Sequence, residues 1–192
     1  AISTAQFSAL SSTQLRVLST AQVVAISTSQ AGALTSTQAS SLTTTQIASM
    51  ETADLASIKT SAIRALSTSQ VAALTTAQVA GFSSTQVAAL ASAQLAALST
   101  AQLVSMEAVD FAAIASDQVS ALTTTQIRAI TTNQVLAFTT AQVGKLTTAQ
   151  LAALTTQQIA VIETADLLAL SSSQIVSLSS AQIAALTSIQ VS

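Results

Sequence analysis

An all-α solenoid is expected from this chain: very short capped helices, one to each eight-residue unit, wound at about seven units, roughly 56 residues, per flattened superhelical turn. The first support is a period. From Ser3 the chain repeats Ser or Thr, two small residues, Gln, a large aliphatic, two small residues, then Leu or Ile. The frame STAQFSAL, SSTQLRVL, STAQVVAI continues without insertion or deletion to the partial unit TSIQVS at Thr187. So short a period belongs to an array whose units stack on their neighbours, and residues 1–192 read as one continuous array. Because the pattern is already running at the first residue, with no charged leader or cleavage site, the expectation is a piece of a longer repeat region.

The second support lies within the unit. In Leu10, Ser11, Gln14 and Leu15, Ser followed three residues later by Gln is a capping box, and the flanking Leu residues stand where a hydrophobic staple forms. The same start signal recurs at Leu66, Ser67, Gln70, Val71 and at Leu146, Thr147, Gln150, Leu151. One long helix fits poorly. Eight residues at 100° each displace the apolar stripe by about 80° per octad, and pairs such as Thr75-Thr76 disfavour a helix interior. A β-solenoid is the alternative, although its corners call for Gly, Asn, Asp or Pro and its strands for strict alternation.

The third support is a slower period. ETADLASI at Glu51, EAVDFAAI at Glu107 and ETADLLAL at Glu163 replace the cap and the Gln by acids, each seven octads on from the last. Phe82 with Phe138, and Arg16 with Arg128, keep the same phase. If seven octads form one turn, these acids stack along one edge. A perimeter of about 84 Å at 1.5 Å per residue would leave a hole unless the coil were flattened, and the chain would make three to four turns, roughly 35 Å tall. An isolated seven-residue helix is unstable in water, so the fifth and eighth positions, as in Val71, Leu74, Val79 and Phe82, are expected to form the core. Small residues at the seventh position (Ala73, Gly81, Ser105) would permit close stacking, and the sixth (Arg16, Arg64, Arg128, Leu136, Gly144) faces solvent.

Composition narrows the function. Half the residues are hydrophobic, but large apolar groups are rationed to about two per octad; Pro is absent and Gly occurs three times. The formal charge of −2, with five basic residues, carries no footprint for nucleic acid or a polybasic membrane contact. Ser, Thr and Gln interrupt every octad, so no stretch of about 20 apolar residues marks a membrane span. With no Cys and no His, disulfides and zinc sites of those ligands are excluded, and with them most nucleophile-plus-base chemistry. No cofactor is expected.

The candidate metal ligands are Glu51, Asp54, Glu107, Asp110, Glu163 and Asp166. Residues three apart share a helical face at about 5 to 6 Å, a separation like that of a retaining glycosidase's carboxylates. No aromatic platform or further catalytic group accompanies them. A stacked ladder of such pairs would offer Ca²⁺ its oxygen ligands, whereas the simpler account is that acids at a helix start suit the macrodipole. Lys59 is placed to pair with the first acidic octad. Rows of Ser and Thr could meet ice or carry sugars, but capping already uses their acceptors. The Gln row could serve both capping and ladders between coils.

The stretch LSTAQVVAIST (Leu18 to Thr28) is similar to the first helix of a TAL-effector repeat, but that repeat's length, base-reading loop and basic scaffold are missing. LTTAQVAGF (Leu74 to Phe82) and LTTAQLAAL (Leu146 to Leu154) resemble the LTTAQ(V/I)AAL tandem octapeptides of very large bacterial adhesin-like or haemagglutinin-like surface proteins. That resemblance implies a secreted or surface-exposed structural array. The expected function is thus non-enzymatic: a stalk, fibre or filament segment, associating end to end or continuing into more octads, with no nucleic-acid partner and no membrane insertion. The alternative is a binding module that uses its exposed face for protein, glycan, ice or Ca²⁺. A designed consensus array is disfavoured by the irregular units around Ala91, Lys59 and Ala115.

Overall fold

The computed structural model describes residues 2–192, and within them twenty-four helices of four to six residues follow one another from Thr4–Ser8 to Ser188–Val191. No strand occurs among the described residues, so the β-solenoid alternative is set aside. Every helix starts at the second position of its octad, after an extended cap residue at the first. The full capping box fails at six caps: Glu51, Lys59, Ala91, Glu107, Ala115 and Glu163. At Ala91 half of it survives, since the cap N–H still donates to Gln94 Oε1 at 2.7 Å.

Corners need none of the usual turn residues. At the joint after Thr44–Ser49, Met50 (φ −64°, ψ 145°) is followed by another extended residue, the cap Glu51 (φ −66°, ψ 147°). Two successive extended residues redirect the chain while keeping φ where Leu, Met, Thr and Ser are at ease. Accordingly no described residue has positive φ. The last turn tightens as well: the eighth-position N–H donates three residues back, as in Leu18 to Leu15 O at 3.2 Å, a 3₁₀-type closure common at helix ends.

Packing joins each helix to the third one along. With α4 at Thr28–Ala31, α7 at Thr52–Ser57, α10 at Thr76–Ala80 and α13 at Thr100–Val104, α4 packs on α7, α7 on α10 and α10 on α13. The same step of three runs from the first helix to the last. Side-chain bonds between turns span separations of 25 residues (Ser36 Oγ to Ser61 O) to 31 residues (Gln46 Nε2 to Leu15 O) and centre on 28. One turn therefore takes about three and a half octads, each helix seated over the joint between two helices of the preceding turn.

The expected seven octads per turn is corrected by these contacts. Seven is the smallest whole number of octads that completes whole turns, so the seven-octad phase marks two turns. The perimeter is about half the expected 84 Å, and the large side chains meet inside it in one core. The chain makes about seven turns, which at the 8 to 10 Å spacing of packed helices gives a height of roughly 55 to 70 Å.

The core is a single column of fifth- and eighth-position side chains. Val71, Leu74, Val79 and Phe82 are all buried, and Phe111, Leu95 and Leu103 have no exposed surface. Phe111 meets Phe138 on the next turn edge to face, with ring centroids 5.3 Å apart, a favoured aromatic geometry. Turns also meet at the seventh position. Ser57 Oγ donates to Thr28 O at 2.9 Å and Ser105 Oγ to Thr76 O at 3.0 Å, while a methyl group on Gly81 would run into Thr52 Cγ2. At the sixth position Arg16, Arg64, Arg128 and Leu136 are exposed, with Gly144 partly so.

Candidate functional site

A helix of five residues is almost all ends, so most of its backbone N–H and C=O groups lack partners within it. Gln at the fourth position answers both ends at once. Gln78 Oε1 accepts from the Thr75 N–H at 2.8 Å, and Thr75 Oγ1 accepts from the Gln78 N–H at 3.1 Å, closing the helix's own start. Its Nε2 reaches the preceding turn and donates to Ile47 O at 3.0 Å, Ala48 O at 3.2 Å and Met50 O at 2.7 Å. Those carbonyls belong to the C-terminal end of the helix four octads earlier, where Ile47 O also accepts from the Met50 N–H at 3.3 Å. Gln78 thus starts one helix and finishes another.

The bridge recurs along the solenoid. Gln70 donates to Ala39 O and Leu42 O, Gln94 to Ile63 O and Leu66 O, and Gln150 to Val119 O and Leu122 O, at 2.7 to 3.0 Å. These side chains are 2 or 3 % exposed, so the bridge lies in a dry joint where an unmade bond is costly. The two halves are separable. Gln118, beside the Ala115 cap, keeps its bond to Leu90 O at 2.8 Å although its buried Oε1 has no donor. The capping box was legible in the sequence; the bridge was the residue role that reading left open. A signal was present, because a capping box accepts Glu as readily as Gln and no octad places Glu at the fourth position.

The acidic octads interrupt the bridge. Glu51, Glu107 and Glu163 occupy exposed cap positions and make no cap bond. Asp54, Asp110 and Asp166 replace Gln at the joint, where a carboxylate has nothing to donate to carbonyls. Two of them turn instead to a hydroxyl at a helix start on the preceding turn: Asp110 Oδ1 accepts from Ser84 Oγ, and Asp166 Oδ1 accepts from Thr140 Oγ1 at 2.7 Å. Asp54 is 3 % exposed and its Oδ2 has no partner. Burial first, and the neighbouring Glu51 charge second, push its carboxyl above the usual carboxylate range.

Within an octad the Glu and Asp share one short helix start, but the three pairs lie two turns apart, roughly 16 to 20 Å at ordinary helix spacing. Ca²⁺–oxygen bonds are about 2.3 to 2.6 Å long, so the pairs do not converge on a shared ion. Among the described residues no group of three or more acidic, His or Cys residues is gathered in a metal-binding arrangement. Lys59 forms no ion pair with the first acidic octad. The ion pair found among the described residues is Lys145 to Asp117 at 3.1 Å, exposed enough to contribute little.

A stability effect follows at Asp54. A carboxyl whose folded pKa lies above its unfolded value destabilises the fold only when ionised. The penalty is absent below the ordinary value of 3.8 and sets in as pH rises through and beyond it. Asp54→Asn is therefore expected to match the parent in strong acid and melt higher near neutrality. Asp54→Gln should gain further, by about 1 to 3 kcal/mol, as Nε2 takes up the Val23 and Ile26 carbonyls at the bridge spacing. Thermal melts of the three proteins from about pH 3 to pH 7 check both.

Fold and joints together define an all-α solenoid of tandem octapeptides, stitched from turn to turn by Gln side chains. The ALTTAQ repeat family matches residues 12–44, 47–84, 87–124, 111–148 and 159–192, and the chain belongs to that family. No curated protein matches it.

Proposed function

We propose that this structural repeat protein is a non-enzymatic spacer: a stalk, fibre or filament segment of a bacterial surface or extracellular protein. The observation that carries the reading is the Gln bridge. It ties successive turns together from Gln30 to Gln190, missing only where Asp54, Ala62, Asp110 and Asp166 stand in place of Gln, the arrangement that resists bending and sets length by the number of octads. Membership of a tandem-repeat family supports the structural role, and the octapeptide resemblance supports surface exposure. A chain without His or Cys, whose acidic pairs stand two turns apart, supports the non-enzymatic reading. No described helix is long and apolar enough to cross a membrane.

Length is the property to test. Removing residues 51–106 takes out seven octads, two turns, and should give a folded rod shorter by roughly 16 to 20 Å with unchanged helicity per residue. Removing three and a half octads, one geometric turn, breaks the octad frame and should disrupt the column around the deletion. Small-angle scattering and circular dichroism distinguish the two. In the source cell, antibodies against the array should label intact cells, and shortening by octads should reduce only reach. Labelling confined to lysed cells would overturn the surface placement, while loss of a saturable ligand on substituting one exposed face would favour a binding module.

A further inference from the structure

All three glycines of the chain face an acidic octad across a turn. A methyl group on Gly32 would lie 3.1 Å from Ser57 O, one on Gly144 3.4 Å from Ala169 O, and one on Gly81 would strike Thr52 Cγ2. Thr52 and Ser57 belong to the octad of Glu51, and Ala169 to that of Glu163. Ordinary octads leave more room. The sixth position, which Gly32 and Gly144 occupy, elsewhere takes Arg64, Arg128 or Leu136. Thr at the second position elsewhere coexists with Ala 29 positions on, as in Thr44 with Ala73 and Thr68 with Ala97, the spacing at which Ser105 Oγ reaches Thr76 O. Around the Glu107 octad Ala88 and Ala113 take the places of Gly32 and Ser57. There Ala108, the one second position without Ser or Thr, replaces Thr52, and Ala137 replaces Gly81.

The fourth-position side chain accounts for the closer approach. Gln reaches a corner 28 to 31 residues back, as Gln78 does to Met50 and Ile47, and holds the turns apart at its own length. Asp is one methylene shorter and has no N–H for those carbonyls. Asp110 and Asp166 accept instead from the Ser84 and Thr140 hydroxyls, 26 residues back, and in the Glu51 octad Ser57 Oγ donates to Thr28 O at 2.9 Å. A shorter link draws the turns together. Because the three acidic octads stand seven octads apart, two whole turns, every such closure falls on the same edge of the column.

We propose that the column is bowed at rest toward the edge that carries the acidic octads. Gln sets the ordinary spacing of turns on the other edges, and Asp sets a shorter one there. Stacked repeats turn small differences between neighbouring units into the curvature of the whole solenoid. Closures that recur on one edge every two turns therefore add, and a block of seven octads is a unit of curvature as well as of length. The Gln bridges keep the column stiff, while the Asp seams fix the direction in which it leans. This shape belongs to the packing alone, so it stands or falls independently of the spacer reading.

Distances along two edges test it. Ala53 and Val109 are exposed third-position residues of the first two acidic octads, and Ser69 and Thr125 are exposed at the same position two octads further on, just over half a turn round the column. Each pair is seven octads apart. With spin labels on Ala53→Cys/Val109→Cys, pulsed electron spin resonance should give a shorter distance than on Ser69→Cys/Thr125→Cys, by about 1.5 to 3 Å, one to two carbon–carbon bond lengths. Asp110→Gln supplies an amide at the bridge spacing from the Val79 and Phe82 carbonyls. It should lengthen the first distance toward the second and leave the second unchanged. Equal distances on the two edges of the parent overturn the proposal, as does an acidic-edge distance that Asp110→Gln leaves in place with the helical signal intact.

Discussion

Gln78→Glu, a near-isosteric change, is expected to destabilise the array more than Gln78→Ala does. In Gln78 the Oε1 role passes readily to a carboxylate oxygen, and an acid at a helix start is ordinarily favourable. If capping were the whole function, Glu would equal or improve on Gln. The Nε2 role does not transfer. A carboxylate at a site 2 % exposed would face the Ile47, Ala48 and Met50 carbonyls that now receive the amide. An uncompensated buried charge costs about 3 to 5 kcal/mol, against about 1 to 3 kcal/mol for Ala, which only leaves acceptors unmet. The introduced carboxyl would have its folded pKa raised, so its penalty should fade as pH drops towards the ordinary Glu range. Chemical denaturation of both variants at neutral and acid pH reads the order and its convergence.

Val79→Asp is expected to be the most damaging core change. Val79 lies at the fifth position, 1 % exposed, on a helix packed between Thr52–Ser57 and Thr100–Val104. No cationic side chain forms an ion pair there, and desolvating an unpaired carboxylate exceeds what one short helix can offset. Val79→Ala removes roughly 1.5 to 3 kcal/mol of burial and should weaken the column without breaking it. Because a solenoid's stability is a sum over neighbouring units, the Asp variant should open locally. Hydrogen exchange should show protection lost across the octads on both sides of residue 79 and retained further away.

Much of this was legible in the sequence because its determinants are local. The capping box lies within four residues, so the helix starts at Ser67, Thr75 and Thr147 could be read directly. The core could be read because Val71, Leu74 and their equivalents are nearly the whole supply of large apolar groups. What escaped was set by groups far apart in sequence. The joint that Gln78 closes lies 28 to 31 residues upstream, and nothing local marks it except the avoidance of Glu. The turn was overestimated twofold because octads align again only after two turns, so the acids at 51, 107 and 163 report that longer repeat. The hydroxyls that Asp110 and Asp166 meet on the preceding turn, Ser84 and Thr140, are likewise 26 residues away in sequence.

The central claim, that Gln bridges wind the chain at the 28-position spacing of Gln46 to Leu18 and Gln78 to Met50, is tested most directly by one distance. Ala72 and Arg128 are exposed sixth-position residues seven octads apart, and the chain has no cysteine, so Ala72→Cys/Arg128→Cys takes a spin label at those two sites alone. Pulsed electron spin resonance should find the labelled backbone positions two turns apart, on the same side of the column, with an axial separation of roughly 16 to 20 Å. A separation of about one helix spacing, 8 to 10 Å, would mean that seven octads form a single turn and would contradict the account.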